Sequence, residues 1–125
     1  MRHGRIGRLA AREVGPRATV LEARGFLQRL LGLAMLRSRE LPDGHALLLR
    51  RCSSVHTFGM RFALDLAFAD DSGNVLRVVR GAAPRRVWRC PGASVVLECR
   101  AGEIGRFLEG GRGAGSRLAF ALDPG

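Results

Sequence analysis

The chain has no lysine and no tyrosine, and only one tryptophan. With six phenylalanines as the other aromatics, its core must be built mainly from aliphatic side chains. Cysteine is scarce and odd in number, at Cys52, Cys90 and Cys99, and no pair has C-x-x-C spacing. That excludes a zinc knuckle and a thioredoxin-like redox motif, and it suits reduced, half-buried thiols in a cytosolic protein. No window approaches ~18 apolar residues, so no membrane-spanning helix is expected. The opening MRHGRIGRLAAREVGPR is basic but lacks the apolar centre of a signal peptide. Its arginines give a faint likeness to a transit peptide, opposed by Glu13 and by the absence of serine. A cytoplasmic location is the expectation. Internal repeats, low-complexity tracts and Pro/Ser-rich linkers are missing too.

What is present fits one ordinary domain. A chain of 125 residues can hide roughly two-thirds of its unfolded surface, enough for a core without staples. An apolar fraction of 46% is normal for a globular protein and too high for a disordered one. The net charge is +10, from 21 arginines against 11 acidic residues. Taken alone, this suggests an anionic partner such as nucleic acid. The all-arginine composition, rich in Ala and Gly, looks instead like GC-biased codon usage. The arginines also spread from Arg2 to Arg117 in runs of at most two, Arg50-Arg51 and Arg85-Arg86. A nucleic-acid footprint gathers on one face or element, so a dedicated nucleic-acid role is not expected.

Residues 1–13 read as a ragged basic terminus and 14–125 as a single β-rich domain. Ala18 to Ala23 reads as a strand. Phe26, Leu30 and Leu33, widened by Leu27, Leu31 and Ala34, then follow helical spacing for about three turns. Gly32 inside that helix implies close packing or an early end. Pro42-Asp43-Gly44 is a turn by its chemistry, and His45 to Leu49 opens a run of strands. Asp70 to Asn74 separates two apolar runs, Leu64 to Ala69 and Val75 to Val79, which predicts a hairpin. Ala93 to Cys99 is a further strand, Glu103 to Leu108 a helical turn, Gly110 to Gly115 a loop, and Arg117 to Leu122 a closing strand. The expected class is mostly β (α+β): a small barrel-like or sandwich-like antiparallel domain with one short helix packed on it.

The segment from Cys52 to Ala69 carries the most information. Its even positions, from Cys52 through Phe58, Met60 and Phe62 to Phe68, are mainly large and apolar; its odd positions, from Ser53 and Val55 through Arg61 and Asp65 to Ala69, are mainly small or charged. That is the pattern of a half-buried strand. Fully extended it would reach ~60 Å, too long for a domain with a radius of gyration near ~14 Å. The run must bend, and Gly59 is the cheapest corner. His56 falls on the apolar side, either as a core histidine bonded to backbone or as an acid-base group in a pocket mouth. Cys52 and His56 stand ~13 Å apart on a straight strand, too far to share a metal. Asp65 either bonds to amides of a neighbouring turn, since Asp is disfavoured in strands, or serves a site. Glu98 poses the same alternative, and a buried carboxylate needs a partner such as Arg61.

Val55-His56-Thr57-Phe58-Gly59-Met60-Arg61-Phe62, followed by Asp65, resembles the hallmark of the family called domain of unknown function 192. Supporting parts are Ala23-x-x-Phe26-x-x-Arg29-x-x-Gly32-Leu33 upstream and Val96-Leu97-Glu98 with Ala101-Gly102 downstream. The likeness covers roughly Val14 to Leu122. Departures are Ala63 in place of a proline, Ser116 where an Asp often follows Gly, and a longer stretch from Ala34 to Glu40. The resemblance implies a compact β-rich fold of bacteria and archaea, and no substrate or established activity.

Three functional readings follow. The first is a non-catalytic accessory or ligand-binding domain with a pocket near His56, Arg61 and Asp65, with Cys52, Thr57 and Glu98 as further candidates. The second is an enzyme with Cys52 as nucleophile and His56 as base, given a bend that brings them together. The third is an acidic partner held by the arginines. No cofactor and no metal site is expected.

Overall fold

Short aliphatic and β-branched runs separated by turn formers favour strands. The computed structural model describes residues 10–22, 41–56 and 62–123. Among these, the chain runs through β1 (Ala10–Gly15), β2 (Ala18–Glu22), β3 (His45–Arg50), β4 (Ser54–His56), β5 (Leu64–Ala69), β6 (Val75–Ala82), β7 (Val87–Arg89), β8 (Val95–Arg100), β9 (Leu108–Glu109) and β10 (Arg117–Leu118). A 3-10 turn, Ile104–Phe107, follows β8.

Six strands form one sheet in the order β1-β2-β3-β8-β5-β6. Its pairs are antiparallel except for β2 and β3, which run parallel. Two small ribbons, β4 with β7 and β9 with β10, complete the strands. Of the barrel-like or sandwich-like antiparallel domain expected from the sequence, the mostly-β and largely antiparallel class holds; among the described residues the sheet has two ends, β1 and β6, and no closed barrel forms. The expected helix from Phe26 to Ala34 and the corner at Gly59 lie outside the described residues. The helical turn expected after Glu103 is the 3-10 turn.

Both faces of the sheet are buried. On one, Leu21, Leu47, Leu49, Leu64, Leu66 and Phe68 pack with Val55 and Trp88 of the β4–β7 ribbon. On the other, small residues such as Ala18, Ala46, Ala67 and Ala69 admit Ile104 and Phe107 of the 3-10 turn, with Leu108 and Leu118. Every residue of β5 is therefore buried. The large–small alternation of the sequence marks two cores of different depth, not an inside and an outside. Nor does one alternation run from Cys52 to Ala69: Val55, expected on the small side, is buried with the large residues of β5 while Ser54 is exposed. The phase changes because β4 leaves the main sheet to pair with β7.

Two further differences lie at the ends. β1 takes in residues 10–13, which composition places in a ragged terminus; it pairs with β2 across the tight Pro16–Arg17 turn. The closing strand stops at Leu118, and Phe120 and Leu122 pack as irregular chain.

The β5–β6 hairpin forms as its turn chemistry predicts. Asp70 Oδ1 accepts from the amides of Ser72 at 3.0 Å and Asn74 at 2.9 Å, and Oδ2 accepts from Asn74 Nδ2 at 3.1 Å. These bonds, led by the Asn74 amide, hold the Asp70 carboxyl below its usual range. A group depressed in the folded state contributes stability above its unfolded pKa and loses it as pH falls through the folded value. Thermal melts taken downward from about pH 4 should thus show the wild-type protein losing more stability than Asp70→Asn. Parallel loss in both proteins would remove Asp70 from the acid response.

Candidate functional site

An aspartate in the middle of a buried strand needs a reason, since strands disfavour it and burial of an unpaired carboxylate is costly. Asp65 is 1% exposed on β5. Its Oδ1 accepts from Gly81 N at 2.9 Å; its Oδ2 accepts from Gly102 N at 2.9 Å and Ile104 N at 3.3 Å. Gly81 belongs to a bulge in β6, where the register passes from Leu64↔Ala82 to Leu66↔Val79. Gly102 sits in the turn between β8 and the 3-10 turn. Both glycines have positive φ, 63° and 91°, a backbone conformation that turns their amides out of the strand ladder. One carboxylate on β5 thus holds three amides, one in the bulge of β6 and two in the turn that follows β8.

Glu98 is also buried, at 2% exposure. It stands opposite Leu66 and Leu47 on β8, in phase with Val96 and the Leu-rich core, whereas Asp65 is in phase with Ala67 and Ala69. The two carboxylates therefore point to opposite faces of the sheet and do not form one site. Cys99, paired in register with Asp65, is fully buried; burial first, and then the charge of Asp65, push its thiol well above the ordinary range. It stays a neutral, weakly nucleophilic thiol.

Of the other candidates, Thr57 and Arg61 lie outside the described residues. His56 is placed by its backbone alone, opposite Val87. Cys52 is half-buried, and its Sγ donates to the Ser54 carbonyl at 3.0 Å. Cys90 is buried. Among the described residues, no three His, Cys, Asp or Glu side chains converge as a metal site would require, and no helix is long and apolar enough to cross a membrane.

Cys52 does open onto a concave space. A cleft of about 470 Å³ lies beyond the end of β3, with Arg50, Arg51, Cys52, Ser53, Asp71 and Ser94 supplying its polar lining. Its walls are tied together by Cys52 N donating to Ser94 O at 3.1 Å and Ser94 N donating to Ala69 O at 2.8 Å. Arg50 is already engaged: its Nε donates to Glu22 Oε2 at 2.7 Å and its guanidinium to the Asp123 carbonyl at 2.7 Å. Arg51 is exposed and makes no hydrogen bond or ion pair among the described residues. Its φ of 54° is rare for a side chain other than glycine. Sequence reasoning reaches Cys52 and misses the rest, since the cleft's walls come from four separate stretches of chain.

Residues 9–113 match the family of uncharacterized ACR proteins called DUF192, domain of unknown function 192. The chain belongs to this family. Two solved structures share its fold at TM-scores of 0.61. One is a Sinorhizobium meliloti 1021 protein described as a "putative transcription regulator", with 28% identity over 81% of this chain and 80% of that one. The other is a Novosphingobium aromaticivorans DSM 12444 protein of unknown function, with 22% identity over 83% of this chain and 79% of that one. No curated protein matches the chain. In this DUF192 chain the Asp65 of the motif and the Ala101-Gly102 pair, apart in sequence, meet in one hydrogen-bonded cluster. Ser116 closes its own loop by donating from Oγ to Gly113 O at 2.6 Å.

Proposed function

We propose that the chain is a non-catalytic binding domain whose cleft takes a small molecule carrying a carboxylate or phosphate. The observation that carries this reading is Arg51: an uncommitted guanidinium, held at a strained backbone position on the rim of a cleft lined by Ser53, Ser94 and the Cys52 thiol. Backbone strain persists where the surroundings over-determine it, often at ligand sites. A planar guanidinium matches a carboxylate or phosphate with two parallel hydrogen bonds. Small-ligand sites combine a preformed concavity with a few polar groups of this kind. Asp71 on the same cleft disfavours a bare polyanion and suits a ligand that also bears a donor. Cys52 stays in the site from the sequence-derived set, while Asp65 is assigned to the fold by its three bonds to backbone amides.

A thermal-shift screen of small carboxylates and phosphates, followed by calorimetry, tests the proposal. A ligand at about 100 times its Kd should raise Tm by roughly 10 °C, the equivalent of about 2.7 kcal/mol. Arg51→Gln should weaken its binding at least about tenfold through loss of the charged fork. A screen without a hit, or a hit that Arg51→Gln binds unchanged, ends the proposal.

A further inference from the structure

The cleft takes residues from two doublets of like charge, Arg50-Arg51 and Asp70-Asp71, and the fold itself uses only one member of each. Arg50 is bound to Glu22 and to the Asp123 carbonyl. Asp70 is bound to the amides of Ser72 and Asn74 and to the Asn74 side chain. Their neighbours Arg51 and Asp71 are exposed. Among the described residues neither side chain makes a hydrogen bond or an ion pair, with the other or with a third group. Yet both line the same cleft. So do Ser53 and Ser94, whose hydroxyls likewise have no protein partner among the described residues.

A single exposed charge is ordinarily just solvated and points to nothing. Here a cation and an anion share one concavity, and the chain on either side of each is tied down. Arg51 stands between the Arg50 clamp and Cys52, whose amide donates to Ser94 O at 3.1 Å. Asp71 stands inside the turn that the Asp70 bonds hold shut. Groups held in this way lose little freedom on meeting a ligand.

The cleft is also balanced in charge: Glu22 answers Arg50, and Asp71 offsets Arg51. Electrostatic complementarity therefore selects a molecule that is neutral overall and carries both signs. A phosphate, with about two negative charges near neutral pH, would meet one free guanidinium and one opposing carboxylate. A carboxylate that also bears an ammonium group finds a partner for each of its charges. The remaining wall is apolar, from Ala93, Val95 and Leu122, and the volume of about 470 Å³ is that of a small-ligand site.

We infer that the ligand of this cleft is a small zwitterion of the amino-acid class, an assignment that rests on the cleft reading above and narrows it. Arg51 holds the carboxylate and Asp71 the ammonium group, while an apolar side chain lies against Ala93, Val95 and Leu122. Ser53 and Ser94 complete the hydrogen bonds of the charged groups.

Calorimetry on the full chain compares leucine with two analogues that each lack one charge: isocaproate, without the ammonium group, and isoamylamine, without the carboxylate. Leucine should bind at least about tenfold tighter than either. Asp71→Asn should weaken leucine about tenfold and hold isocaproate no more weakly than the wild-type protein does. Arg51→Gln should weaken both. Leucylglycine binding tighter than leucine, with the same dependence on both residues, would keep the zwitterion and make a short peptide its source. Isocaproate binding as tightly as leucine, with Asp71→Asn without effect, overturns the zwitterion and leaves a carboxylate cleft at Arg51 standing. Failure of both leucine and leucylglycine to bind overturns it too, and the carboxylate and phosphate screen then decides the cleft separately. Far-ultraviolet melts of both variants should coincide with wild type, since neither side chain is bonded within the described fold, so a binding loss is read apart from a folding loss.

Discussion

Replacing Asp65 by alanine should lower stability by about 4 kcal/mol, or roughly 15 °C in Tm for a domain of this size. The truncation leaves three amide donors, of Gly81, Gly102 and Ile104, without their acceptor. Each orphaned buried donor costs about 1–3 kcal/mol, and bonds to a charged acceptor are among the stronger ones. Gly81 and Gly102 are exposed as residues, so water rescues part of the loss and keeps the total below the sum of the maxima. Asp65→Asn separates geometry from charge. It keeps one accepting oxygen but turns a donor toward either Gly81 or the Gly102–Ile104 pair, and should cost about half as much. Chemical denaturation of the three proteins checks this. If Asp65 were a ligand group, Asp65→Asn would melt close to wild type and lose a binding activity; a stable Asp65→Ala would contradict the tethering described above.

That role is half legible in the sequence, and the reason is chemical. An Asp between Leu64 and Leu66 sits where neither solvent nor strand propensity favours it, so a bond to turn amides is one of two readings. Which turns it serves depends on the β5–β8 and β5–β6 registers, which local spacing does not encode. The β5–β6 hairpin is legible because Asp70 to Asn74 act within a few residues of one another. β2, β3 and β8 are legible for the same reason, as apolar runs bounded by turn formers. β1 is not: Ala10–Gly15 has little apolar character, and its strand exists because Pro16–Arg17 folds it back on β2. Arg17 there takes φ 55°, where glycine or asparagine would have advertised the turn. The phase change at Val55 is hidden because alternation in a sequence does not say which sheet a strand joins. The cleft is hidden because its lining converges from the segments around Arg51, Asp71, Ser94 and Leu122.

Gly44→Ala should be the most damaging single-methyl addition in the described chain, at about 3 kcal/mol. The Pro42–Gly44 turn leads into β3, and Gly44 has φ 74°. A left-handed alanine costs about 1 kcal/mol by itself. A Cβ at this site would also lie 2.7 Å from the Arg17 carbonyl oxygen, which is backbone and cannot swing away. Nor can Gly44 retreat. Its amide donates to Glu103 Oε1 at 2.8 Å, and its carbonyl accepts from Thr19 N at 2.8 Å. Relief of the clash must therefore break a bond to the 3-10 turn or to β2, or displace the β1–β2 turn. Gly105→Ala is the matched control: Gly105 lies in the 3-10 turn, and a methyl added there would meet nothing within 4 Å. That variant should be neutral or stabilise by up to about 1 kcal/mol through the unfolded chain. Urea denaturation of the two variants beside wild type measures the contrast. Equal stabilities for Gly44→Ala and Gly105→Ala would mean that the Arg17 turn yields freely, and that the β1–β2 hairpin is not locked against the start of β3.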